Sequence, residues 1–301
     1  KFKSNFGKLP IKIQGTNYSK PIRYYENKGS AQCKSAVMFA ALNTQGETII
    51  KAKKSRDHSE LLFKYLKLPI KVIKGKKYDI IKVKGKHKIP ALNYKIPSDI
   101  SSAAFFIVLT ALVKNSKLKI KNVNINPSRI GILYILKLMG VKISKINIKS
   151  YKGEKIADLV IKSTNKIKPI NCPTSLNSSA IDEFLLIFLV AAKANGVSYF
   201  KNLSELNQKE SPRLKWGAKI LNKMGIKTIL TKDSLKIYGN PNLKITKNII
   251  IKNYLKDHRV FMTSVIAALS FGGKWKIHDK DSIQSSFPDF LKIINEFKKC
   301  D

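Results

Sequence analysis

The sequence repeats one pattern four times, and this repeat limits the possible folds more than any other feature. Each copy has a polar residue, an apolar helix, a short turn with Asn or Gly, a strand and a second, amphipathic helix. The copies begin at Ser30, Asp99, Asp182 and Asp257. Repeats can form solenoids, but solenoid helices are seldom as apolar as these first helices. The pattern therefore predicts an α+β fold with helices packed inside and sheets outside.

Local signals support the repeat and suggest a domain boundary. Gly140 and Gly225 follow the second helix of two copies, where a left-handed C-cap would lie. An acid and an arginine recur at similar spacing, 30 residues from Asp99 to Arg129 and 31 from Asp182 to Arg213. In the fourth copy Phe287 fills the equivalent slot. The segment "HKIPALNYKIPSD" at 87–99 is the best candidate for a domain crossing, which predicts domains at 1–97 and 98–301.

The charge of the chain suggests an anionic partner. Its 58 basic and 19 acidic residues give a formal net charge of +39, so a basic nucleic-acid-binding protein is one hypothesis. However, the positive charge is spread along the chain without a dense basic block, and few aromatics are interleaved. Nearly all of it is lysine. The arginines are Arg23, Arg56, Arg129, Arg213 and Arg259, and they indicate positions where a flat, bidentate group is needed for a phosphate or carboxylate.

Composition excludes several classes of protein. A hydrophobic content of 44% excludes a disordered chain, and apolar runs such as 181–192 and 260–269 are too short or too interrupted to span a bilayer. The scattered Cys33, Cys172 and Cys300, without a C-x-x-C pair, argue against disulfides or a zinc site and favour a reducing cytoplasm. Cys33 is expected to pack inside a buried helix. The chain begins at Lys1 without a signal-peptide pattern, which is typical of a fragment or processed product.

The segment "AIDEFLLIFLVAA" at 180–192 places Asp182 and Glu183 at the start of the most apolar run. Capping is one explanation, because Ser179 and Asp182 fit the S/T-x-x-D/E pattern and acids suit the start of a helix. Catalysis is the other explanation. The local sequence alone leaves both open.

Eight motifs together resemble the EPSP synthase family: "GSAQCKSA", "SRDHSE", "DISSAAFF", "NPSR", "IDEF", "QKESPR", "DHR" and "SSFPDF". They follow the family's order along essentially the whole chain. The resemblance implies two domains of repeated βαβαββ units with the active site in the interdomain cleft. "SAQCKSA", "LNTQG" and "SRDHSE" are similar to the glyphosate-tolerant bacterial branch, as is Ser285, where many members have lysine. We therefore expect the chain to be a member that lacks the family's N-terminal part. The UDP-N-acetylglucosamine enolpyruvyl transferases are the nearest alternative family.

The resemblance implies a reaction and a set of site residues. The family transfers the enolpyruvyl group of phosphoenolpyruvate to the 5-hydroxyl of shikimate 3-phosphate and releases phosphate. The implied catalytic residues are Asp182 as base, Glu210 for proton transfer at the methylene carbon, and Lys209. The implied shikimate 3-phosphate ligands are Ser30, Ala31, Gln32, Arg56, Asp182 and Lys209, and those for phosphoenolpyruvate are Gln32, Arg213 and Arg259. No metal, organic cofactor, nucleic acid or membrane is implied, and we expect a cytoplasmic monomer.

Several of these residues also have simpler explanations. Ser30 is equally well explained as an N-cap, and Arg56 could form a surface ion pair with Asp57 or Glu60. Glu210 and Arg213 would share one face if both lay in the first turn of a helix, where they could form an exposed pair. Four further residues also have structural explanations. Glu183 could orient the site or cap a helix, His258 could catalyse or pack, and Asp99 and Arg129 are expected to be structural.

Overall fold

The computed structural model describes residues 2–5 and 8–297. The chain divides into two compact units, the first comprising Lys1–Tyr94 with Lys152–Glu154 and the second comprising Lys95–Tyr151 with Lys155–Asp301. The division falls at Tyr94, three residues before the predicted boundary. Each unit has its own hydrophobic core.

The first unit contains a hairpin and one α/β sheet. The hairpin pairs β1 (Phe2–Asn5) with β2 (Lys8–Ile13). The sheet elements follow in the order β3 (Arg23–Glu26), α1 (Ala31–Leu42), β4 (Glu47–Lys53), α2 (His58–Tyr65), β5 (Ile70–Ile73) and β6 (Tyr78–Lys84). The strand order is β3-β4-β6-β5, with β3 parallel to β4 and the other pairs antiparallel. This is one complete βαβαββ unit.

Burial on the sheet of the first unit alternates along its central strands. In β4 and β6 every second residue is buried, including Ile50, Ala52, Ile81 and Val83. This period of two is that of a sheet with one face against the core and one in water. The helices α1 and α2 cover the inner face through Met38, Leu42 and Phe63.

The second unit contains three further helix–strand–helix copies. The first consists of α3 (Ile100–Leu112), β7 (Lys117–Asn124), α4 (Gly131–Leu138), β8 (Lys142–Tyr151) and β9 (Glu154–Lys162). The second consists of α5 (Asn177–Ala180), α6 (Phe184–Ala192), β10 (Val197–Phe200), α7 (Arg213–Lys223), β11 (Thr228–Leu230) and β12 (Leu235–Tyr238). The third consists of β13 (Ile245–Ile251), α8 (His258–Phe271), β14 (Gly272–Ile277) and α9 (Phe290–Phe297). The sheet orders are β7-β9-β8, β10-β12-β11 and β13-β14.

The core of the second unit is built around α3, α6 and α8, which pack against one another. All nine residues of α6 are buried, and in α3 only Ser102 and Leu109 are not. Phe184 and Phe188 pack edge-on against Phe200 of β10. A single contiguous core of this kind agrees with helices inside a compact unit and excludes a solenoid.

The predicted repeat is confirmed, because each of its four copies forms a helix, a strand and a second helix. Gly140 and Gly225 follow α4 and α7 with φ of +88° and +90°. The amide of Val141 donates to the carbonyl of Leu136, and that of Ile226 to Leu221. Each of these hydrogen bonds joins residues five apart in the sequence, which is typical of a helix that ends in a left-handed glycine.

The first helix of the first copy is an exception to the predicted burial. Only Lys34, Met38, Ala41 and Leu42 of α1 are buried, and Cys33 is exposed. The prediction of a buried Cys33 is therefore wrong, because α1 turns one narrow face to the sheet and the opposite face to solvent. Cys172 is buried, and burial raises the pKa of its thiol to about 11. Cys300 lies outside the described residues.

The described residues contain no helix that is both long and apolar enough to cross a membrane.

Candidate active site

Asp182 and Glu183 lie in the tight turn between α5 and α6. Ser179 does not cap α6, because its hydroxyl donates to the carbonyl of Leu176 within the preceding turn. Glu183 occupies the N-cap position without a side-chain capping bond. The explanation that Ser179 and Asp182 form a capping pattern is therefore wrong, although Glu183 does stand at the start of α6. Gly131 packs closely against the segment before this turn. A Cβ at position 131 would lie 2.4 Å from Ser179 Oγ and 2.9 Å from the amide nitrogen of Ala180, so no larger residue fits there.

The carboxylate of Asp182 lies between two cations. Its Oδ1 is 3.7 Å from Lys209 Nζ and 3.5 Å from Arg213 Nη1. Lys209 also pairs with Glu205 at 3.1 Å, and both Asp182 and Lys209 remain partly exposed. The side chains of Asp182 and Lys209 are therefore adjacent and open to solvent, as an acid–base pair acting on a bound hydroxyl would need to be.

Arg213, the first residue of α7, is fixed by Asp257, the N-cap of α8. Arg213 Nε and Nη2 donate to the two oxygens of Asp257 at 2.8 and 3.2 Å, which is the bidentate geometry of a guanidinium–carboxylate pair. Ser211 Oγ and the amide of Arg259 also donate to this carboxylate, at 2.7 and 2.9 Å. Burial raises the pKa of Asp257, but the hydrogen bond and charge of Arg213 outweigh it and hold the pKa below its usual range.

The sequence suggested that Glu210 and Arg213 would share one helix face if both lay in the first turn. Glu210 instead precedes α7, which begins at Arg213. It nevertheless pairs with Arg213 Nη2. Its side chain is 55% exposed, whereas that of Arg213 is 2% exposed. Glu210 is thus the most accessible acid beside Arg213, which suits a group that exchanges protons with a ligand.

Arg259 and Glu183 form the second half of the arrangement. Arg259 Nη1 donates to the carbonyl of Asp182 at 2.8 Å and lies 3.5 Å from Glu183 Oε1. Ser101 Oγ donates to the same Glu183 oxygen at 2.6 Å. Burial raises the pKa of Glu183, and the opposing charge of Arg259 reduces the shift without reversing it. Glu183 and Asp257 are therefore two buried acids whose pKa values move in opposite directions.

Asp99 and Arg129 extend this network. Arg129 Nη2 donates to Asp99 at 2.9 Å and to Ser101 Oγ at 2.7 Å. Asp99 also accepts the amide of Ser102 and so caps α3. The chain of contacts from Asp99 through Arg129 and Ser101 reaches Glu183. These contacts suit the structural role expected of Asp99 and Arg129.

His258 begins α8 between Asp257 and Arg259. Burial, reinforced by the charge of Arg259, lowers the pKa of its imidazole below the ordinary value. The neutral ring is therefore favoured near pH 7.

The other predicted site residues lie in the first unit. Ser30 caps α1 by accepting the amide of Cys33 at 3.2 Å, so its simpler explanation is confirmed. Ala31 and Gln32 form the first turn of α1, and Gln32 is exposed. Arg56 lies half-buried in the loop before α2, and its carbonyl accepts a hydrogen bond from Lys34 Nζ at 2.7 Å. The loop of Arg56 and the start of α1 are thereby joined through Lys34.

Sequence reasoning missed three residues that organise these sites, namely Lys34, Ser101 and Asp257. A signal existed for Lys34, because it shares the spacing 34, 38, 41 with the buried Met38 and Ala41. Asp257 stood at the start of a repeat and in the motif "DHR", but neither pattern gave it a role. No local sequence pattern shows that Asp257 would bind Arg213, which lies 44 residues earlier in the chain.

Across residues 2–5 and 8–297, no group of three or more His, Cys, Asp or Glu side chains is placed to hold a metal ion.

Comparisons with known proteins identify the family. A sequence model of the family described as EPSP synthase (3-phosphoshikimate 1-carboxyvinyltransferase) matches residues 1–294. The enzymes so named from Vesicomyosocius okutanii and Ruthia magnifica are each 40% identical over 294 residues, which is 97% of this chain and 66% of each relative. A solved EPSP synthase from Acinetobacter baumannii superposes with a TM-score of 0.87 at 34% identity, over 98% of this chain and 66% of that one.

The fold is therefore that of an α+β enolpyruvyl transferase, as predicted. The chain belongs to the EPSP synthase family. It spans 66% of the length of these relatives. The match favours this family over the UDP-N-acetylglucosamine enolpyruvyl transferases and over a basic nucleic-acid-binding protein.

Proposed function

We propose that this chain carries substrate-binding and catalytic residues of a 3-phosphoshikimate 1-carboxyvinyltransferase, which transfers the enolpyruvyl group of phosphoenolpyruvate to the 5-hydroxyl of shikimate 3-phosphate. The reaction proceeds by addition and elimination and releases phosphate. The observation that carries the proposal is the Asp182 carboxylate held between Lys209 and Arg213 at 3.7 and 3.5 Å in a chain of this family.

The chemistry assigns a role to each group. Asp182 accepts the proton of the 5-hydroxyl, and Lys209 binds the hydroxyl or phosphoenolpyruvate. Glu210 exchanges a proton with the methylene carbon, and its exposure beside Arg213 supports that assignment. Arg213 and Arg259 bind the phosphate or carboxylate of phosphoenolpyruvate together with Gln32, since planar guanidinium groups match such anions.

Shikimate 3-phosphate has its own set of ligands in this proposal. They are Ser30, Ala31, Gln32 and Arg56, together with Asp182 and Lys209. The amides in the first turn of α1 suit a phosphate, because a helix start offers unpaired N–H groups and a positive dipole end. A cytoplasmic location, a monomeric state and membership of the glyphosate-tolerant branch belong to the same proposal.

The first experiment measures the melting temperature of the chain against shikimate 3-phosphate at about 50 and 200 mM salt. A ligand that binds only the folded state must raise the melting temperature as its concentration passes Kd. We expect a saturable rise at both salt concentrations that unphosphorylated shikimate does not reproduce. Absence of the rise would contradict the proposal. A rise that disappears at the higher salt concentration would instead indicate nonspecific charge binding.

The assignment of the base requires turnover. The chain is extended with the part of the Vesicomyosocius okutanii relative that lies outside the aligned 294 residues, and phosphate release is measured with both substrates. Asp182→Asn should lower kcat by about 10²–10⁴-fold, the usual contribution of a general base. Asp289→Asn, at an exposed position, serves as the control. A rate close to wild type in Asp182→Asn would exclude Asp182 as the base.

A further inference from the structure

Lys34 of α1 is a buried lysine that the reaction does not use directly. It is 3% exposed, and its Nζ lies 2.7 Å from the carbonyl oxygen of Arg56 and 2.7 Å from Glu60 Oε1. Glu60, in the first turn of α2, is itself 3% exposed. One ammonium group therefore binds a backbone carbonyl and a carboxylate at the same time.

These contacts join the two segments that carry the proposed shikimate 3-phosphate ligands. Lys34 lies one turn beyond Ser30, and its own amide donates to the Ser30 carbonyl at 3.1 Å. On the other side it holds the backbone of Arg56 directly. The neighbouring Ser35 and Ser59 hydroxyls form a second link, 2.6 Å apart, between α1 and α2.

Stability alone does not explain this buried ion pair. Burying two charges is expensive, and a well-packed apolar pair of similar volume is often equally or more stable. Here the pair is also imperfect, because Glu60 Oε2 is buried without a hydrogen-bond partner among the described residues. Met38 and Phe63 of the same two helices show that apolar contacts between α1, α2 and the sheet are available.

We propose that Lys34 is a positioning residue that holds Arg56 against the start of α1 and so gives the site its preference for a phosphorylated ligand. The inference rests on the proposed function. An ammonium group offers three donors from one atom, so it can bind the Arg56 carbonyl and Glu60 together, whereas methionine of similar length cannot. Without that hydrogen bond the backbone from which the Arg56 side chain extends loses its direct link to α1.

The test compares the affinities of the chain for shikimate 3-phosphate and for shikimate by calorimetry. The variants are Lys34→Met and the double variant Lys34→Met/Glu60→Leu, in which no buried carboxylate is left unpaired. Lys64→Met, an exposed lysine of α2, is the control. The quantity compared is the Kd for shikimate divided by the Kd for shikimate 3-phosphate. This ratio should fall about tenfold or more in both Lys34 variants, which corresponds to the loss of a charged hydrogen bond. The Kd for shikimate should change little, and Lys64→Met should keep the wild-type ratio.

Each outcome decides a different point. If the wild type does not prefer the phosphorylated ligand, the proposed function fails and this inference fails with it. If the wild type has the preference and the folded double variant retains it, only the inference about Lys34 is overturned. If urea titrations show no cooperative unfolding transition in either variant, both variants are unfolded. Lys34 then serves the fold of the unit rather than the site, and the inference is again overturned.

Discussion

Three of the five arginines of this lysine-rich chain lie in the second unit, and each pairs with a carboxylate there. Arg129, Arg213 and Arg259 meet the carboxylates of Asp99, Asp257 and Glu183 within the second unit. The bidentate contact of Arg213 shows why lysine does not substitute there, since a single ammonium cannot reach both oxygens of Asp257 in that geometry. The sequence-based interpretation of the arginines as markers of planar recognition agrees with this arrangement.

Removal of the Asp257 charge should destabilise the second unit strongly. Asp257→Asn removes the bidentate partner of the 2%-exposed Arg213, which then keeps only Asp182 and the exposed Glu210 as counter-ions. A buried charge left with no counter-ion costs about 3–5 kcal/mol, so the loss of stability should approach but not exceed that range. Urea unfolding at pH 7 measures this loss. Asp281→Asn is the matched control, because Asp281 pairs with Lys256 at 2.7 Å with both side chains more than half exposed. Such a surface pair contributes less than about 1 kcal/mol. Equal effects in the two variants would contradict the prediction.

Single residues were predictable where a motif or a repeat marked them, and not where a distant partner decided their role. Asp182, Lys209, Glu210, Arg213 and Arg259 were all predicted, and they lie together in one network. Asp257 and Ser101 lie in the quoted motifs "DHR" and "DISSAAFF" but received no role, because their partners Arg213 and Glu183 are far away in the sequence. The prediction that Cys33 is buried was wrong for a related reason, since apolar composition does not reveal which helix face is covered.

At the scale of elements, irregular points in the strands have specific side-chain support. In the sheet β7-β9-β8 the register shifts between Ile120 and Val123. Asn122 has a positive φ of 52° at this shift, and Asn147 of β8 has the same value. Asp158 of β9 accepts the Asn122 amide at 3.0 Å and Asn147 Nδ2 at 2.9 Å. The sequence predicted a strand at "KLKIKNVNI" but not the bulge, because bulges depend on the partner strand.

The acid sensitivity of this sheet should depend on Asp158. The hydrogen bond from the backbone amide of Asn122, together with those from Asn147 and Lys119, lowers the pKa of Asp158 to about 2. A depressed pKa stabilises the fold above the ordinary carboxyl value of about 3.9 and loses that effect as pH falls through the folded value. Asp158→Asn should therefore destabilise the chain at pH 5, and the difference from wild type should shrink by pH 2.5.

Urea unfolding at both pH values measures this difference. Asn at position 158 keeps one acceptor oxygen but turns a donor towards Asn147 and Lys119, so the effect at pH 5 is expected despite the similar shape. Asp289→Asn, on an exposed position, controls for the general loss of a negative charge. A difference that is as large at pH 2.5 as at pH 5 would contradict the prediction.

At the scale of the whole molecule, the net charge opposes folding. With a formal charge of +39, the compact state holds many lysines closer together than the unfolded chain does, and salt screens their repulsion. The free energy of unfolding in urea should therefore rise between about 20 and 500 mM sodium chloride, with exposed charges screened over roughly 10 Å at 0.1 M.

A charge variant separates this effect from general salt effects. Changing the exposed Lys64, Lys215 and Lys247 to Glu lowers the formal charge by six, from +39 to +33. The rise in stability with salt should be smaller in this variant than in the wild type. An identical salt dependence would mean that charge repulsion does not limit the stability of the fold.

The overall architecture was predictable because the repeat is a periodic signal. Apolar helices alternate with strands at a regular interval, and the βαβαββ pattern follows from that order together with the family resemblance. The pattern does not specify how much of each helix is covered. The difference between α1, with four buried residues, and α6, with nine, is set by the number of neighbouring elements.

The burial of α6 has a consequence for how the chain emerges from a ribosome. Its nine residues pack against α3, which is synthesised earlier, and against α8, which is synthesised later. Translation must add the 79 residues from Lys193 to Phe271 before α8 is complete. At about 5–20 residues per second this takes roughly 4–16 s. During that interval the segment FLLIFLVAA lacks one of its covering helices, so a wholly apolar stretch of the nascent chain remains only partly covered.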